Sequence, residues 1–240
     1  MTAWRSWPRN WNVLWVGGLL VGYLLGLAPT SAVAAQNHAL LVGVTQYLHL
    51  PQAYWLKGPA NDVVLMQEIL TTRFQFASAQ MTVLAGWPTD ANFRPTRANI
   101  ARAFRRLAEV AGAGDQVVIY LAGHGSQQPA DDDPDDPEPD GLDELFLPAD
   151  VVGWKQSIGQ VENAIVDDEV HAWVQAIRVR GASVWVIVDA CYAGTSARAR
   201  HEQERERTIP AGVLVPHDVL AAATPRAAQR RAESQSASAR

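Results

Sequence analysis

Apolar and polar positions fall into two kinds of block along this chain. Short, nearly unbroken apolar runs rich in β-branched residues occur at His38–Val44, Met81–Ala85, from Gln116 through QVVIYLAGHGS, and from Ser183 through SVWVIVDACYAGT. Such runs read as strands buried on both faces of a parallel sheet. Between them, apolar residues return at helical spacing. Val64, Leu65, Ile69 and Leu70 fit a helix over Val63–Thr72 with Asn61 as its N-cap. Ile100, Phe104, Leu107 and Val110 fit a second helix, started by Pro95 and Thr96, and Val170, Trp173, Val174 and Ile177 a third over Ile165–Val179. Asp167, Asp168 and Glu169 open that third helix, where acidic groups favour the helix dipole. Strand alternating with helix predicts an α/β fold, a mostly parallel sheet flanked by helices on both faces. Asp140–Asp150 is a candidate extra strand, and Val213–Val215 and Val219–Ala223 are the last candidate strands.

Two of the buried strands end in chemistry. After Val184–Val188 the polarity changes abruptly to Asp189, Ala190 and Cys191, the only cysteine of the chain. The run before Ser126 ends in His124, held between Gly123 and Gly125. Ligands of open α/β sheets bind beyond the carboxyl ends of the strands. Two strands that deliver one Cys and one His to the same sheet edge therefore suggest a nucleophile and its base. A lone cysteine is more often an inert core residue. The matched design of the two stretches is what favours chemistry.

The ends and one loop lie outside this pattern. Arg5 and Arg9, the apolar Val13–Leu27 and the small residues Ala32-Val33-Ala34 make residues 1–35 a signal peptide, with an uncleaved membrane anchor as the alternative. Either form exports the domain, to the periplasm or beyond. The domain itself spans 36–225, and 226–240 has the composition of a disordered tail. Pro129–Pro139 is proline-punctuated and acidic, so it reads as a solvated loop. A net charge of -5 over 240 residues argues against nucleic acid as a partner. Membrane contact is expected only if the N-terminal segment stays uncleaved.

YLAGHGSQ and VIVDACYAGT, with DGLDELFLPAD and IVDDEVHAWV between them, resemble the caspase-like cysteine peptidases, and most of all the bacterial metacaspases or orthocaspases. The resemblance covers roughly His38–Glu233. It implies a caspase-like fold, here without the last strand and helix that the family usually adds. It makes Cys191 the nucleophile of a thioester mechanism and His124 its base, with the backbone N–H groups of Gly125 and Cys191 as the oxyanion hole. It implies cleavage of protein or peptide substrates after Arg or Lys, with Asp62 and Asp189 as the acidic residues that bind the basic side chain. On a strand, Asp189 and Cys191 would share a face. Ala122 and Pro59 stand where other members carry polar pocket residues.

The resemblance requires no cofactor. Eukaryotic members hold calcium with four Asp positions, which Asp150, Asp167 and Asp168 match in three. Arg198 falls where the fourth is expected, and a cation there opposes calcium control. The polar stretch 198–207 follows the nucleophile where the family places its processing linker, so self-cleavage is expected after Arg198, Arg200, Arg205 or Arg207. Two alternatives stay open at this point: a catalytically silent caspase-like scaffold that binds proteins, and an acidic cation-binding module resting on Asp131–Asp140.

Overall fold

The structure, a computed structural model, describes residues 35–131, 138, 140–191 and 207–223. The expected signal peptide (apart from its last residue), most of the acidic loop, residues 192–206 and the tail lie outside the described residues. Among those described, no helix is long and apolar enough to cross a membrane.

Four strands make the central sheet: β1 (Asn37–Gly43), β2 (Met81–Ala85), β3 (Gln116–Ala122) and, late in the chain, Ser183–Asp189, β9 below. Their spatial order is β2-β1-β3-β9 and every pairing is parallel. Alternation along β1 explains the layers. Ala39 and Leu41 face α1 (Gly58–Phe74), packing with its Val63 and Leu70. Leu40 and Val42 face the other side, with Ile100 and Phe104 of α2 (Arg97–Val110) and Ile177 of α3 (Asp167–Arg178). The Phe104 and Trp173 rings meet at 4.9 Å between these two helices. Helices thus cover both faces, as the pattern predicts.

Beyond β3 the chain builds a second, antiparallel sheet from β4 (Gly125–Pro129), β5 (Leu142–Phe146) and β8 (Ile165–Val166), with a small hairpin of β6 (Trp154–Lys155) and β7 (Gln160–Val161). β5 meets the expectation for 140–150. β4 does not follow from the hydrophobic pattern, because its Ser126, Gln127 and Gln128 are polar yet buried. Two of them are satisfied by distant parts of the chain: Ser126 Oγ donates to the Ile209 carbonyl and Gln128 Oε1 accepts from the Val161 N–H, each within 2.9 Å.

Three boundaries differ from the sequence reading. Helix α1 begins at Gly58, with Lys57 rather than Asn61 in the N-cap position, because Pro59 fits the first turn, where its missing N–H costs nothing. The third helix starts at Asp167 after the two-residue strand β8. Val213–Val215 and Val219–Ala223 are not strands: α4 (Ala211–Leu214) and residues 217–223 are helical, each started by a proline at 210 or 216.

Candidate active site

Strands β3 and β9 end level, with Ala122 opposite Asp189, and the last rung is the Gly123 N–H donating to the Asp189 carbonyl at 3.3 Å. Two residues past each end stand His124 and Cys191. β9 stops at Asp189, so the strand alternation expected to align Asp189 with Cys191 does not reach Cys191. Gly123 sits in close quarters: a Cβ there would lie 3.2 Å from Tyr47 Oη and 3.3 Å from Phe146 and Val44, so these neighbours would have to give by a few tenths of an ångström.

His124 is held from several directions. Its backbone N–H donates to Tyr47 Oη at 2.7 Å, and its carbonyl accepts from the Leu147 N–H at 3.0 Å. Its ring lies tilted against Tyr47, with Tyr54 edge-on. Nε2 lies 2.8 Å from the Tyr54 carbonyl, which can only accept, so the proton of the neutral ring resides on Nε2. Nδ1 then carries the lone pair; it is buried and, among the described residues, no donor is in hydrogen-bonding geometry with it. Burial is the main effect on the ring and holds its pKa below the usual value, against the opposing pull of the Tyr54 and Arg207 carbonyls. A neutral imidazole with a fixed tautomer and an unused lone pair is equipped to take a proton. A backbone carbonyl does the orienting that a carboxylate performs in a three-residue triad.

One oxygen marks where the reacting carbonyl would sit. The N–H groups of Gly125 and Cys191 both donate to the carbonyl oxygen of Arg207, at 3.0 and 3.1 Å. Both N–H groups thus converge on one oxygen at hydrogen-bonding distance, and they are the two donors that the family resemblance implies for an oxyanion hole. The side chain of the same Arg207 enters an acidic slot. Its Nη2 donates to Asp62 Oδ2 at 2.6 Å, and its Nη1 pairs with Asp189 Oδ2 and reaches the Asp189 carbonyl at 3.2 Å. Burial works against the guanidinium charge, but the carboxylates of Asp62 and Asp189 outweigh it and raise the Arg207 pKa further.

Three residues the sequence reading missed shape this slot and the base. Tyr120 Oη donates to Asp189 Oδ2 at 3.0 Å, and burial together with that carboxylate pushes the phenol up to about 12. Gly58 closes the slot: a Cβ there would lie 3.0 Å from Arg207 Nη2 and 3.3 Å from Asp62 Oδ2. Tyr47 anchors the His124 backbone. A hydroxyl inside an otherwise apolar strand needs a polar partner, and that was the available signal for Tyr120. Pro59 and Ala122 are both buried beside the slot's walls and offer it no side-chain polar atom.

The three carboxylates expected at a metal site do not converge. Asp150 Oδ1 accepts the backbone N–H of Arg97 at 2.8 Å at the start of α2, while Asp167 and Asp168 lie in the first turn of α3. Among the described residues, the acidic groups whose oxygens come within 4.8 Å of one another are Glu138, Glu144 and Asp167. Arg198, expected to oppose the cation, lies outside the described residues.

A mostly parallel sheet with helices on both faces, carrying a His and a Cys past the ends of adjacent strands, defines a caspase-like α/β protein. The solved structure of protein GSU0716 from Geobacter sulfurreducens has the same fold, with a TM-score of 0.53 at 26% identity over 84% of this chain and 65% of that one. The family model for the metacaspase peptidase C14 domain matches residues 37–199, and the chain belongs to that family. It is 36% identical to Metacaspase-2 of Arabidopsis thaliana over 68% of this chain and 36% of the relative. It is 32% identical to Metacaspase-1 of Plasmodium falciparum over 67% of this chain and 24% of the relative, and 31% identical to Metacaspase-1 of Pyricularia oryzae over 69% and 38%. The matched region therefore spans well under half the length of these relatives.

Proposed function

We propose that this chain is a cysteine endopeptidase that cuts peptide bonds after arginine, and less readily after lysine. The observation that carries the reading is the seat of Arg207: guanidinium between two carboxylates and carbonyl oxygen between two N–H donors, beside a cysteine. A substrate arginine would take the same seat. His124 Nδ1 removes the Cys191 proton, and the thiolate attacks the carbonyl carbon. The oxygen gains charge where the Gly125 and Cys191 N–H groups already point. His124 returns the proton to the departing amine, and water then hydrolyses the thioester. Beyond the substrate and one water, the steps call only on groups of this chain. Lysine would bring a point charge to a slot that suits a planar fork, hence the preference. An acidic side chain would leave both carboxylates unpaired and repelled.

The same reading takes Arg207–Thr208 as the bond presented for self-processing, since the Arg207 side chain fills the acidic slot and its carbonyl oxygen accepts from the Gly125 and Cys191 N–H groups. It also takes residues 1–35 as an export signal, so the enzyme would act outside the cytoplasm. N-terminal sequencing of the exported protein tests that part.

The central test is turnover of fluorogenic peptides ending in Arg, Lys or Asp before the dye. Wild type and Arg207→Ala are compared with each other and with the same proteins carrying Cys191→Ala or His124→Ala. Cleavage after Arg that disappears with either Cys191→Ala or His124→Ala is expected. Cleavage that survives Cys191→Ala, or a preference for Asp, would overturn the reading.

A further inference from the structure

The segment that fills the site cannot readily leave it from either side. On its acyl side, residues 192–206 connect Arg207 to Cys191 itself. On its amine side, Thr208 forms a parallel bridge with Gly125, and its Oγ1 donates to the Cys191 carbonyl at 2.9 Å. The Ile209 N–H donates to the Gly125 carbonyl at 2.9 Å, and its own carbonyl accepts from Ser126 Oγ at 2.8 Å. The Ile209 side chain is 0% exposed and belongs to the main core, as do Leu214 and Val215 beyond it. Thr208 and Ile209 are therefore part of the fold, and apart from the half of the bridge made by the Arg207 carbonyl to the Gly125 N–H, these contacts do not depend on the Arg207–Thr208 bond staying whole.

We propose that Arg207–Thr208 is a captive bond, which the site opens and re-forms in place, so that residues 207–209 act as a built-in, reversible inhibitor of the enzyme. The proposal rests on the peptidase reading above. In the forward step Cys191 Sγ bonds to the Arg207 carbonyl carbon and the C–N bond to Thr208 breaks. The proton taken by His124 passes to the Thr208 nitrogen, leaving a thioester and a neutral amine. In the reverse step that amine attacks the thioester, its proton returns through His124 to sulfur, and the peptide bond is restored. No other reactant is consumed.

Water competes with the amine, and magnitudes decide which wins. A well-oriented intramolecular nucleophile acts at an effective concentration of ~10⁵ M or more, far above that of bulk water. An amine pinned by Thr208 and Ile209 beside the acyl carbon thus recaptures it before hydrolysis in most turnovers. The chain stays intact at equilibrium although its bond is repeatedly cut. An external substrate has to displace Arg207 from the slot first.

Hydroxylamine, a small nucleophile that traps thioesters, makes the hidden step visible. Full-length wild type incubated at neutral pH with hydroxylamine should accumulate one cut, after Arg207, bearing a hydroxamate on that residue. Intact-mass and peptide analysis should find it forming at least tenfold faster than any cut in buffer alone, and absent in Cys191→Ala. Equal, trace cutting with and without hydroxylamine would show that the bond is not opened. Rapid conversion to an Arg207 carboxylate in buffer alone would show that the amine is not retained. Either result rejects the proposal. Occupancy is read separately: Arg207→Ala should react with an arginine chloromethylketone at Cys191 at least tenfold faster than wild type, and equal rates reject an inhibitory seat. If Arg207→Ala cleaves arginine peptides while wild type yields no hydroxamate, the captive bond fails and the peptidase stands. If Arg207→Ala neither cleaves nor takes the label, both fall.

Discussion

Neutralising the slot one carboxylate at a time tests the assignment of specificity most directly. Asp62→Asn and Asp189→Asn keep side-chain shape, and asparagine at 189 can still accept from Tyr120 Oη, so what each removes is charge. A hydrogen bond to a charged partner contributes about 1.5–3 kcal/mol when well buried. Exposed ion pairs contribute about 0.2–1 kcal/mol. With Arg207 seated, the side chains of Asp62 and Asp189 are 34% and 44% exposed and the guanidinium is 21% exposed. That intermediate setting implies about 1–1.5 kcal/mol per carboxylate, or roughly a five- to tenfold loss at 1.4 kcal/mol per decade. The assay is kcat/KM for a pair of peptides ending in arginine or its uncharged isostere citrulline, in an Arg207→Ala background so that the slot is vacant. Each single change should lower the arginine-to-citrulline ratio about five- to tenfold. The double change should lower it by at least about thirtyfold, since both carboxylates meet one cation. A ratio that stays constant through both substitutions would refute the acidic slot, even if overall turnover fell.

Other expectations follow from single contacts. Gly58→Ala puts a methyl against the guanidinium seat without changing charge, so the preference for Arg over Lys should shrink several-fold in peptide profiling while the fold is retained. Tyr47→Phe strips the buried His124 N–H of its acceptor. About 1–3 kcal/mol of stability should be lost, seen as a Tm lower by roughly 3–10 °C in calorimetry. Asp143 is buried, and desolvation, reinforced by Asp131, Asp167 and Asp168, pushes its carboxyl up to about 7. A folded-state pKa above the unfolded one means the native protein holds the extra proton, so wild-type stability should decline as pH rises from about 4 to about 7. Asp143→Asn should flatten that decline, so its Tm advantage over wild type grows between pH 5 and pH 8; a constant difference would show that Asp143 does not titrate there. Because Asp150 is engaged at the start of α2 and does not join Asp167 and Asp168, activity should differ less than twofold between chelator and millimolar calcium.

The strands of the central sheet could be read from sequence because each is a continuous apolar run, and their ends bring His124 and Cys191 to one sheet edge. Burial on both faces, expected for all of these runs, holds for β1 and β3 but not for β9, whose Trp185–Val188 lie exposed at a border of the sheet. Two kinds of feature escaped. Ser126, Gln127 and Gln128 look like loop residues, and their burial in β4 depends on partners such as Val161 and Ile209 that no local pattern reveals. Arg207 is one of four candidate cleavage residues by sequence, and nothing local distinguishes it from the other three. Its seat is set by Asp62, 145 residues away, and by the core residue Ile209 that follows. The start of α1 at Gly58 is not legible locally because a Gly-Pro pair usually marks a turn, although the same pair can open a helix.

The strand that leads to Cys191 is one border of the sheet. β9 pairs with β3 on one side and, among the described residues, with no strand on the other, and Trp185, Val186, Ile187 and Val188 are 69%, 38%, 39% and 42% exposed. β2, the opposite border, also pairs on one side only but is less exposed, so hydrogen exchange along β9 should be the fastest of the four central strands, with β1 among the slowest. Fraying there would carry off Asp189 and Cys191 together while Asp62 and His124 stayed on better protected elements. Catalytic competence should then be lost at lower temperature or denaturant than the bulk of the secondary structure, making the active site a more sensitive gauge of unfolding than circular dichroism.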